Sequence, residues 1–325
     1  MIAITGGAGF IGSALTWALN ERGEDSILIV DDLRSGSKWK NLAGLKFLDF
    51  MSREDFLQAI LQGKELGLTS VLHMGACSST TESDADYLLA NNYEYSKTLA
   101  DYCLTRDLRF LYASSAATYG SGECGYSDGA DLATLRPLNM YGYSKHLFDL
   151  WMHRNGGLGN AVGIKFFNVW GPNEYHKESM RSMVVKAYEQ IKSTGAVNLF
   201  RSYHPDYEDG KQMRDFLYVK DAVGMVLQLF ENHSLHGIFN LGNGKTLTWI
   251  ELISPIFTAL KLEPEIKFIP MPEELRDKYQ YFTKADMNRF LSTGCEQVQT
   301  PHAESIRDFV LNYLEKDAYL DVRSS

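Results

Sequence analysis

The sequence is poor in the features that mark several large classes of protein. Its 325 residues carry a formal charge of −9 at pH 7, and lysine and arginine nowhere form a basic run, so a nucleic-acid partner is not expected. Uninterrupted apolar runs of about 18 residues, the length of a membrane span, are absent. The four cysteines are widely spaced, without a Cys-x-x-Cys pair or a histidine pair at ligand spacing, which indicates reduced structural thiols and no metal site.

We also expect no secretory leader at the start of the sequence. Residues 2–4 already form an apolar stretch that leads into a glycine-rich turn at Thr5, with no room for a charged region, an apolar core and a cleavage site. We therefore expect a cytoplasmic protein with no membrane association. Its length suffices for one large domain or two unequal ones with an ample core.

The first pattern that is present is a strand, a glycine-rich turn and a helix in direct succession. Gly6, Gly9 and Gly12 separate the apolar residues 2–4 from an amphipathic helical pattern. Glycines at this spacing allow a tight turn, close approach of a ligand and close packing of the helix on the strand. Because the free amides of the helix N-terminus then face an anion, the pattern predicts the pyrophosphate site of a dinucleotide.

The second predicted strand, residues 26–30, ends at Asp31 and Asp32. A carboxylate about 20 residues after such glycines usually binds the ribose hydroxyls of the adenosine, which favours NAD. Lys38 lies just beyond, and its role stays open on sequence alone. It either holds the 2′-phosphate of NADP or is a solvated loop lysine.

Strand and helix patterns go on alternating up to about residue 170. Predicted strands at residues 70–74, 109–113 and 161–167 end in small or polar residues, which let a cofactor lie against the backbone. A long helical stretch before the second of them contains Asn91 and Asn92, which either face inward or are solvated. The alternation predicts an α/β protein with a Rossmann-type, doubly wound parallel sheet.

Tyr141 and Lys145 are four residues apart at the start of a predicted helix, so their side chains lie on one face. The usual pKa of a phenol is about 10, and a neighbouring ammonium group is expected to lower it. That would make proton transfer to or from a carbinol feasible. A hydroxyl of Ser114 or Ser115, at the end of the preceding strand, could donate to the same oxygen.

Beyond residue 172 the alternation weakens, which predicts a second unit. We expect an NAD(P)-binding Rossmann domain over residues 1–170 and a smaller α/β substrate-binding lobe over residues 171–325. A segment at about 214–243 is expected to return to the first domain. Its first part, from Arg214, is predicted to open a helix, and residues 237–242 are predicted to form a strand of the sheet.

Five segments of the chain together resemble the extended short-chain dehydrogenase/reductases that act on nucleotide sugars. They are residues 5–12, 114–115, 141–145, 168–172 and 214–221. Finer matches resemble the branch that inverts C6″ of an ADP-linked heptose for the lipopolysaccharide inner core. These lie at residues 75–81, 112–120, 166–177 and 278–286. The resemblance runs nearly end to end.

The resemblance implies a homo-oligomer that binds a nucleotide sugar, ADP-heptose, and a tightly held nicotinamide cofactor. Tyr141 and Lys177 would be the acid/base pair, supported by Ser115 and Lys145. The cofactor is usually NADP in this family, so Lys38 and Arg53 would hold its 2′-phosphate despite Asp31, with NAD as the alternative. The other implied cofactor residues are Gly6, Gly9, Phe10, Ile11, Gly12, Asp31, Asp32, Met74, Gly75, Ala76, Cys77, Ser78, Asn91, Lys145 and Val169. The implied substrate residues are Asn168, Ser179, Lys186 (where the family has histidine), Phe200, Arg214 and Tyr279.

Three other functions fit parts of the pattern. A hexose 4-epimerase uses the same chemistry and differs only in its sugar pocket. A 4,6-dehydratase needs carboxylic groups beside the active hydroxyl, whereas Ser115 is followed by Ala116 and Ala117. A non-catalytic dinucleotide sensor is a third alternative, and the presence of Ser115, Tyr141 and Lys145 argues against it.

Overall fold

The computed structural model describes residues 1–276 and 279–322, and it contains twelve strands in that part of the chain. The strands are β1 (Ile2–Thr5), β2 (Ile27–Val30), β3 (Asp49–Met51), β4 (Ser70–His73), β5 (Arg109–Ser115), β6 (Ala161–Phe166), β7 (Asn168–Trp170), β8 (Val197–Phe200), β9 (Met213–Tyr218), β10 (Gly237–Leu241), β11 (Thr246–Thr248) and β12 (Ile266–Ile269). Lys278, which belongs to one of the segments that carry the family resemblance, lies outside the described residues.

Helices connect most of these strands. The α-helices are α1 (Phe10–Asn20), α2 (Arg53–Leu61), α3 (Ala85–Leu88), α4 (Tyr95–Thr105), α5 (Met140–Arg154), α6 (Met183–Thr194), α7 (Val219–Glu231), α8 (Trp249–Leu260), α9 (Glu273–Arg276), α10 (Asn288–Ser292) and α11 (His302–Asp308). None of the helices in the described part of the chain combines the length and the apolar character needed to cross a bilayer.

Seven strands form one parallel sheet in the order β3-β2-β1-β4-β5-β6-β10. Parallel neighbours need crossover connections, which place helices on the faces and bury the strands on both sides. The interior strands β1 and β4 are accordingly buried at all their residues. This arrangement confirms the predicted α/β, Rossmann-type fold, including the strand that residues 237–241 contribute to it.

A core lies on each face of this sheet. On one face, β-strand side chains such as Ile4 and Ile29 belong to a cluster of buried residues with α1 and α7, which pack against each other. On the other face, Ala3, Leu28 and Phe110 pack with α2, α4 and α5. The two layers hold the carboxyl ends of the parallel strands at one edge, which is where ligands bind in open α/β sheets.

Two smaller sheets stand beside the main one. β9 pairs with β7 and β11, and β8 pairs with β12. The prediction that Arg214 opens a helix is therefore wrong, because residues 213–218 are a strand and α7 begins only at Val219. Five of the six residues of β9 are buried, so the strand lacks the alternation of apolar and polar residues that reveals a half-buried strand.

Candidate active site

The glycine-rich turn between β1 and α1 is shaped by close backbone contacts. Gly6 has φ +66°, and a Cβ there would lie 2.5 Å from the Cα of Gly75 in the loop after β4. A Cβ on Gly12 would collide with the carbonyl oxygen of Gly6. Gly9 is the N-cap of α1 and offers no side-chain cap, so the first amides of the helix stay free for an anion. This cradle fits a dinucleotide pyrophosphate.

The carboxylates at the end of β2 are both paired with cations. Asp31 is buried, accepts the amide of Ala8 at 2.9 Å and forms an ion pair with Lys38. Asp32 lies 3.4 Å from Nε of Arg53, and Nη1 of the same guanidinium donates to Oδ1 of Asn91 at 2.5 Å. The structure thus brings together the four predicted adenosine-site side chains and Asn91, a set that suits either a ribose or a 2′-phosphate.

Asn92 is a functional residue that the sequence analysis left undecided. The predicted helix begins only at Ala85, and it widens into a π-helical turn over Leu89–Glu94, a feature frequent at functional sites. Fully buried Asn92 accepts the amide of Cys77 and donates to its carbonyl, both at 2.9 Å, and donates to Ser144 at 3.1 Å. Asn92 therefore fixes the predicted cofactor loop after β4 to α5.

Ser115, Tyr141 and Lys145 come together where β5 meets α5. Asn139 caps α5 by accepting the amide of Gly142 at 2.8 Å, and the Ser115 hydroxyl lies close enough to the Tyr141 phenol to influence its pKa. Nζ of buried Lys145 donates to the carbonyl of Ala113 at 2.8 Å. The three side chains predicted for the proton-transfer site thus lie beside the end of β5.

The pKa values of the two residues on α5 shift in opposite directions. Burial raises the pKa of Tyr141, although the Ser115 hydroxyl opposes the shift. Burial lowers the pKa of Lys145 to about 8, with Asp149 acting against it. Desolvation therefore dominates the pKa of the phenol in the protein's own groups, and the lowering of that pKa by a neighbouring lysine stays a prediction.

Lys177 lies in a turn after β7, close to the start of α1. Its Nζ is 5.5 Å from the ring centroid of Phe10, the first residue of that helix. Burial lowers the pKa of Lys177, and the carboxylate of Glu174 opposes the shift. The next residue, Glu178, has φ +48° and ψ −117°, a strained combination that surrounding contacts must maintain.

The predicted substrate residues lie in several separate parts of the structure, and the first of these is around Asn168. Nδ2 of Asn168 donates to the carbonyl of Asp215 at 2.9 Å, and Asn168 and Val169 line a cavity of about 180 Å³ together with Phe216 and Trp249. A larger cavity of about 580 Å³, beside Lys284, is lined by none of the predicted site residues.

A second place is an aromatic cluster around Arg214. The buried guanidinium lies 5.3 Å from the ring centroid of Tyr279 and 6.0 Å from that of Trp249, and the Trp249 indole donates to the Tyr279 hydroxyl at 2.7 Å. In a third place, Lys186 on α6 donates to the carbonyl of Ser179 at 2.7 Å. Phe200 ends β8 in the two-stranded sheet and is half-buried.

Comparisons with known proteins point to one group. The sequence profile described as the NAD dependent epimerase/dehydratase family matches residues 2–242. A curated relative from Nitratidesulfovibrio vulgaris (strain DP4), "ADP-L-glycero-D-manno-heptose-6-epimerase", is 50% identical over 316 residues, 97% of this chain and 98% of the relative. A Fusobacterium nucleatum protein of the same description is 43% identical over 332 residues, 98% of this chain and 100% of the relative.

Solved structures give the same picture. The Helicobacter pylori ADP-L-glycero-D-manno-heptose-6-epimerase superposes with a TM-score of 0.80 at 25% identity, over 96% of this chain and 95% of that one. The UDP-glucose 4-epimerase of Thermus thermophilus, solved in complex with NAD, superposes with a TM-score of 0.74 at 25% identity, over 95% and 97%. The similarity thus covers the main sheet and the smaller sheets together.

Proposed function

Because this chain belongs to the NAD dependent epimerase/dehydratase family and, within it, to the ADP-L-glycero-D-manno-heptose-6-epimerases, we propose that it inverts C6″ of an ADP-linked heptose. The reaction interconverts ADP-D-glycero-D-manno-heptose and ADP-L-glycero-D-manno-heptose, the heptose donor for the lipopolysaccharide inner core. The family resemblance seen in the sequence is thereby confirmed. The 50% identity over 97% of the chain is the observation that carries the proposal.

The cofactor is a nicotinamide dinucleotide, and we propose NADP as the specific one. The glycine cradle and the free amides of α1 suit its pyrophosphate, and Lys38 and Arg53 would bind its 2′-phosphate. The chemistry that the nicotinamide supplies when bound is the removal of hydride from C6″ and its return to the other face of a 6-keto intermediate. We further propose that residues 1–170, with 214–243, hold this cofactor and that residues 171–325 form the substrate lobe.

Two proton handlers are needed because the C6″ hydroxyl ends on the opposite side of the carbon. Tyr141, whose pKa is raised by burial, is protonated at neutral pH and suited to donate a proton to the ketone oxygen. Lys177, whose pKa is lowered by burial, gives up a proton more readily and suits the role of base. Ser115 would hydrogen-bond the same oxygen, and Asn168, Ser179, Lys186, Phe200, Arg214 and Tyr279 would hold the nucleotide sugar.

The hydride scheme predicts the fate of a label at C6″. With C6″-deuterated ADP-heptose in ordinary water, the epimerised product is expected to keep its deuterium, because the same hydrogen leaves and returns. Mass spectrometry of the product checks this result. Loss of the label to solvent would rule out hydride return. Parallel assays with UDP-glucose and UDP-galactose distinguish the hexose 4-epimerase alternative, which predicts turnover of those sugars and none of ADP-heptose.

The 2′-phosphate proposal predicts a change in cofactor preference. Replacing Lys38 by alanine removes a charge-assisted contact worth about 1.5–3 kcal/mol and frees Asp31 to accept ribose hydroxyls. NADP affinity is therefore expected to fall by roughly 10–100-fold, whereas NAD affinity changes little. Calorimetric titration of the cofactor-stripped protein measures both, with exposed Lys46→Ala as the control. Equal losses for the two cofactors would contradict the assignment.

The homo-oligomeric state and the cytoplasmic location expected from the sequence remain predictions. Size-exclusion chromatography with light scattering tests the first, and cell fractionation tests the second.

A further inference from the structure

One buried side chain connects the turn that carries Lys177 to two distant parts of the chain. Asn173 is fully buried and has φ +76°. Its Nδ2 donates to Oγ of Ser13 at 3.0 Å, and its Oδ1 accepts the backbone amide of Leu320 at 2.9 Å. Ser13 lies in the first turn of α1, directly after the glycine turn. The Asn173 amide therefore joins the Lys177 turn, the cofactor helix and the C-terminal segment, which we define as residues 318–322.

The backbone of Asn173 is held from a further direction. Its carbonyl accepts from Nδ2 of Asn41 at 3.0 Å, and the same nitrogen donates to the carbonyl of Ala8 at 2.9 Å and lies 3.2 Å from Nδ1 of His176. Ala8 belongs to the glycine turn, and Asn41 lies in the 3₁₀ turn Lys38–Leu42. Three segments at the predicted cofactor site thus share one hydrogen-bonded cluster.

The C-terminal segment covers this cluster and contacts both sides of it. The hydroxyl of Tyr175 donates to the carbonyl of Ala318 at 3.0 Å, and the rings of Tyr175 and Tyr319 meet edge to face at 5.0 Å. On the other side, the amide of Val322 donates to the carbonyl of Gly44 at 3.0 Å. The segment therefore bridges the Lys177 turn and the loop that follows Lys38.

The Lys177 turn needs such support because little of its own structure fixes it. It is a short 3₁₀ stretch, Tyr175–Met180, interrupted by the strained backbone of Glu178, and its residues are half-buried or exposed. Internal anchorage comes from Glu174, whose carboxylate accepts the amide of Gly171 at 3.0 Å and the hydroxyl of Ser182 at 2.8 Å. These bonds fix the two ends of the turn to each other but not to α1, which Asn173 contacts through Ser13.

We propose that Asn173, held by Ser13 and by the C-terminal segment, is a positioning residue that sets the distance of Lys177 from the glycine turn. The proposal rests on the proposed function, in which Lys177 is one of two proton handlers. A displacement of a reacting group by about 1 Å can cost roughly 10²-fold in rate. Because Tyr141 is carried by α5 and not by this turn, a displaced Lys177 directly slows only one of the two half-reactions, the hydride transfer from the epimer whose hydroxyl proton the lysine takes.

Asn173→Gly is the sharpest test. Glycine adopts φ +76° without strain and keeps the carbonyl that Asn41 binds, so the variant removes only the two side-chain bonds. Hydride transfer from each heptose epimer is measured in a single turnover of the cofactor-loaded protein, by the near-ultraviolet absorbance of the reduced nicotinamide. We expect a slowing of about tenfold or more for one epimer only, the one that Lys177→Met also slows. The control is Lys261→Gly, an exposed residue with φ +59°, which should slow neither.

The outcomes distinguish a failure of the positioning role of Asn173 from a failure of the proposed function. If Lys177→Met slows one epimer and Asn173→Gly slows both equally or neither, the positioning role is overturned and the proposed function stands. If Lys177→Met shows no preference between the epimers, Lys177 is not one of two proton handlers, and the positioning role of Asn173 is overturned with it. If the unmodified protein turns over neither heptose epimer, the proposed function itself is wrong. Should Asn173→Gly fail to fold, Ser13→Ala removes one of the same bonds without altering the turn. It is expected to slow the same epimer less strongly, and an equal effect on both epimers would overturn the proposal.

Discussion

Replacing Tyr141 by phenylalanine is expected to lower kcat by about 10²-fold or more, the scale of a single acid/base group, while the purified protein keeps its cofactor. The pKa of the phenol is raised by burial, so at neutral pH it holds the proton that a ketone oxygen would receive. Phenylalanine keeps the ring and removes only the hydroxyl group that carries this proton. The glycine turn and Lys145, which would hold the cofactor, are unchanged.

The measurement combines steady-state epimerisation with the cofactor content of the purified variant. Tyr143→Phe is the matched control, since Tyr143 lies on the same helix but is 44% exposed. It should keep nearly normal turnover. Near-normal turnover of Tyr141→Phe would remove the central role given to this residue, whereas a loss of cofactor would show that the phenol acts in binding and not in proton transfer.

Lys165→Met is expected to cost roughly 3–5 kcal/mol of the free energy of unfolding, the usual effect of breaking a buried ion pair by removing one partner. Nζ of Lys165 lies 2.6 Å from the carboxylate of Asp149 and 2.5 Å from the hydroxyl of Thr118, and both charged side chains are at most 1% exposed. The same carboxylate accepts the hydroxyls of Ser114 and Tyr112. Without the lysine, a buried negative charge keeps only neutral donors.

Urea unfolding with linear extrapolation measures this loss. The double variant Lys165→Met with Asp149→Asn is expected to recover much of it, because both charges then leave the interior together. Lys97→Met, which breaks an exposed pair with Glu94 on α4, should change the stability by about 0–1 kcal/mol. A double variant as unstable as the single one would show that the pair stabilises the fold in its own right.

The parts of the structure that local sequence determines were predictable. An apolar strand followed by three spaced glycines is a pattern of neighbouring residues, and Gly12 is required by the carbonyl oxygen of Gly6 in the same turn. The fold class followed from the alternation of such units. The pairing of Tyr141 with Lys145 likewise followed from helical geometry alone.

Other features depend on contacts far apart in the sequence. β9 keeps Asp215 inside a strand because amides of Asn243, Gly244 and Ala285 bind its carboxylate, and no local pattern reveals those partners. Asn92 faces inward because of a π-helical turn. The raised pKa of Tyr141 reflects burial by the whole fold, and the place of Lys177 near Phe10 joins residues far apart along the chain. Only the family resemblance indicated that lysine beforehand.

The order of strands in the main sheet also bears on how the protein is made. β6 obtains its outer neighbour, β10, only after the intervening residues 167–236 have been synthesised. At about 5–20 residues per second, the nascent chain exposes the unpaired backbone groups of a buried, apolar strand for several seconds. An open edge of this kind invites pairing with other chains, so emergence from the ribosome is the stage at which this protein is most prone to aggregate and most in need of a chaperone.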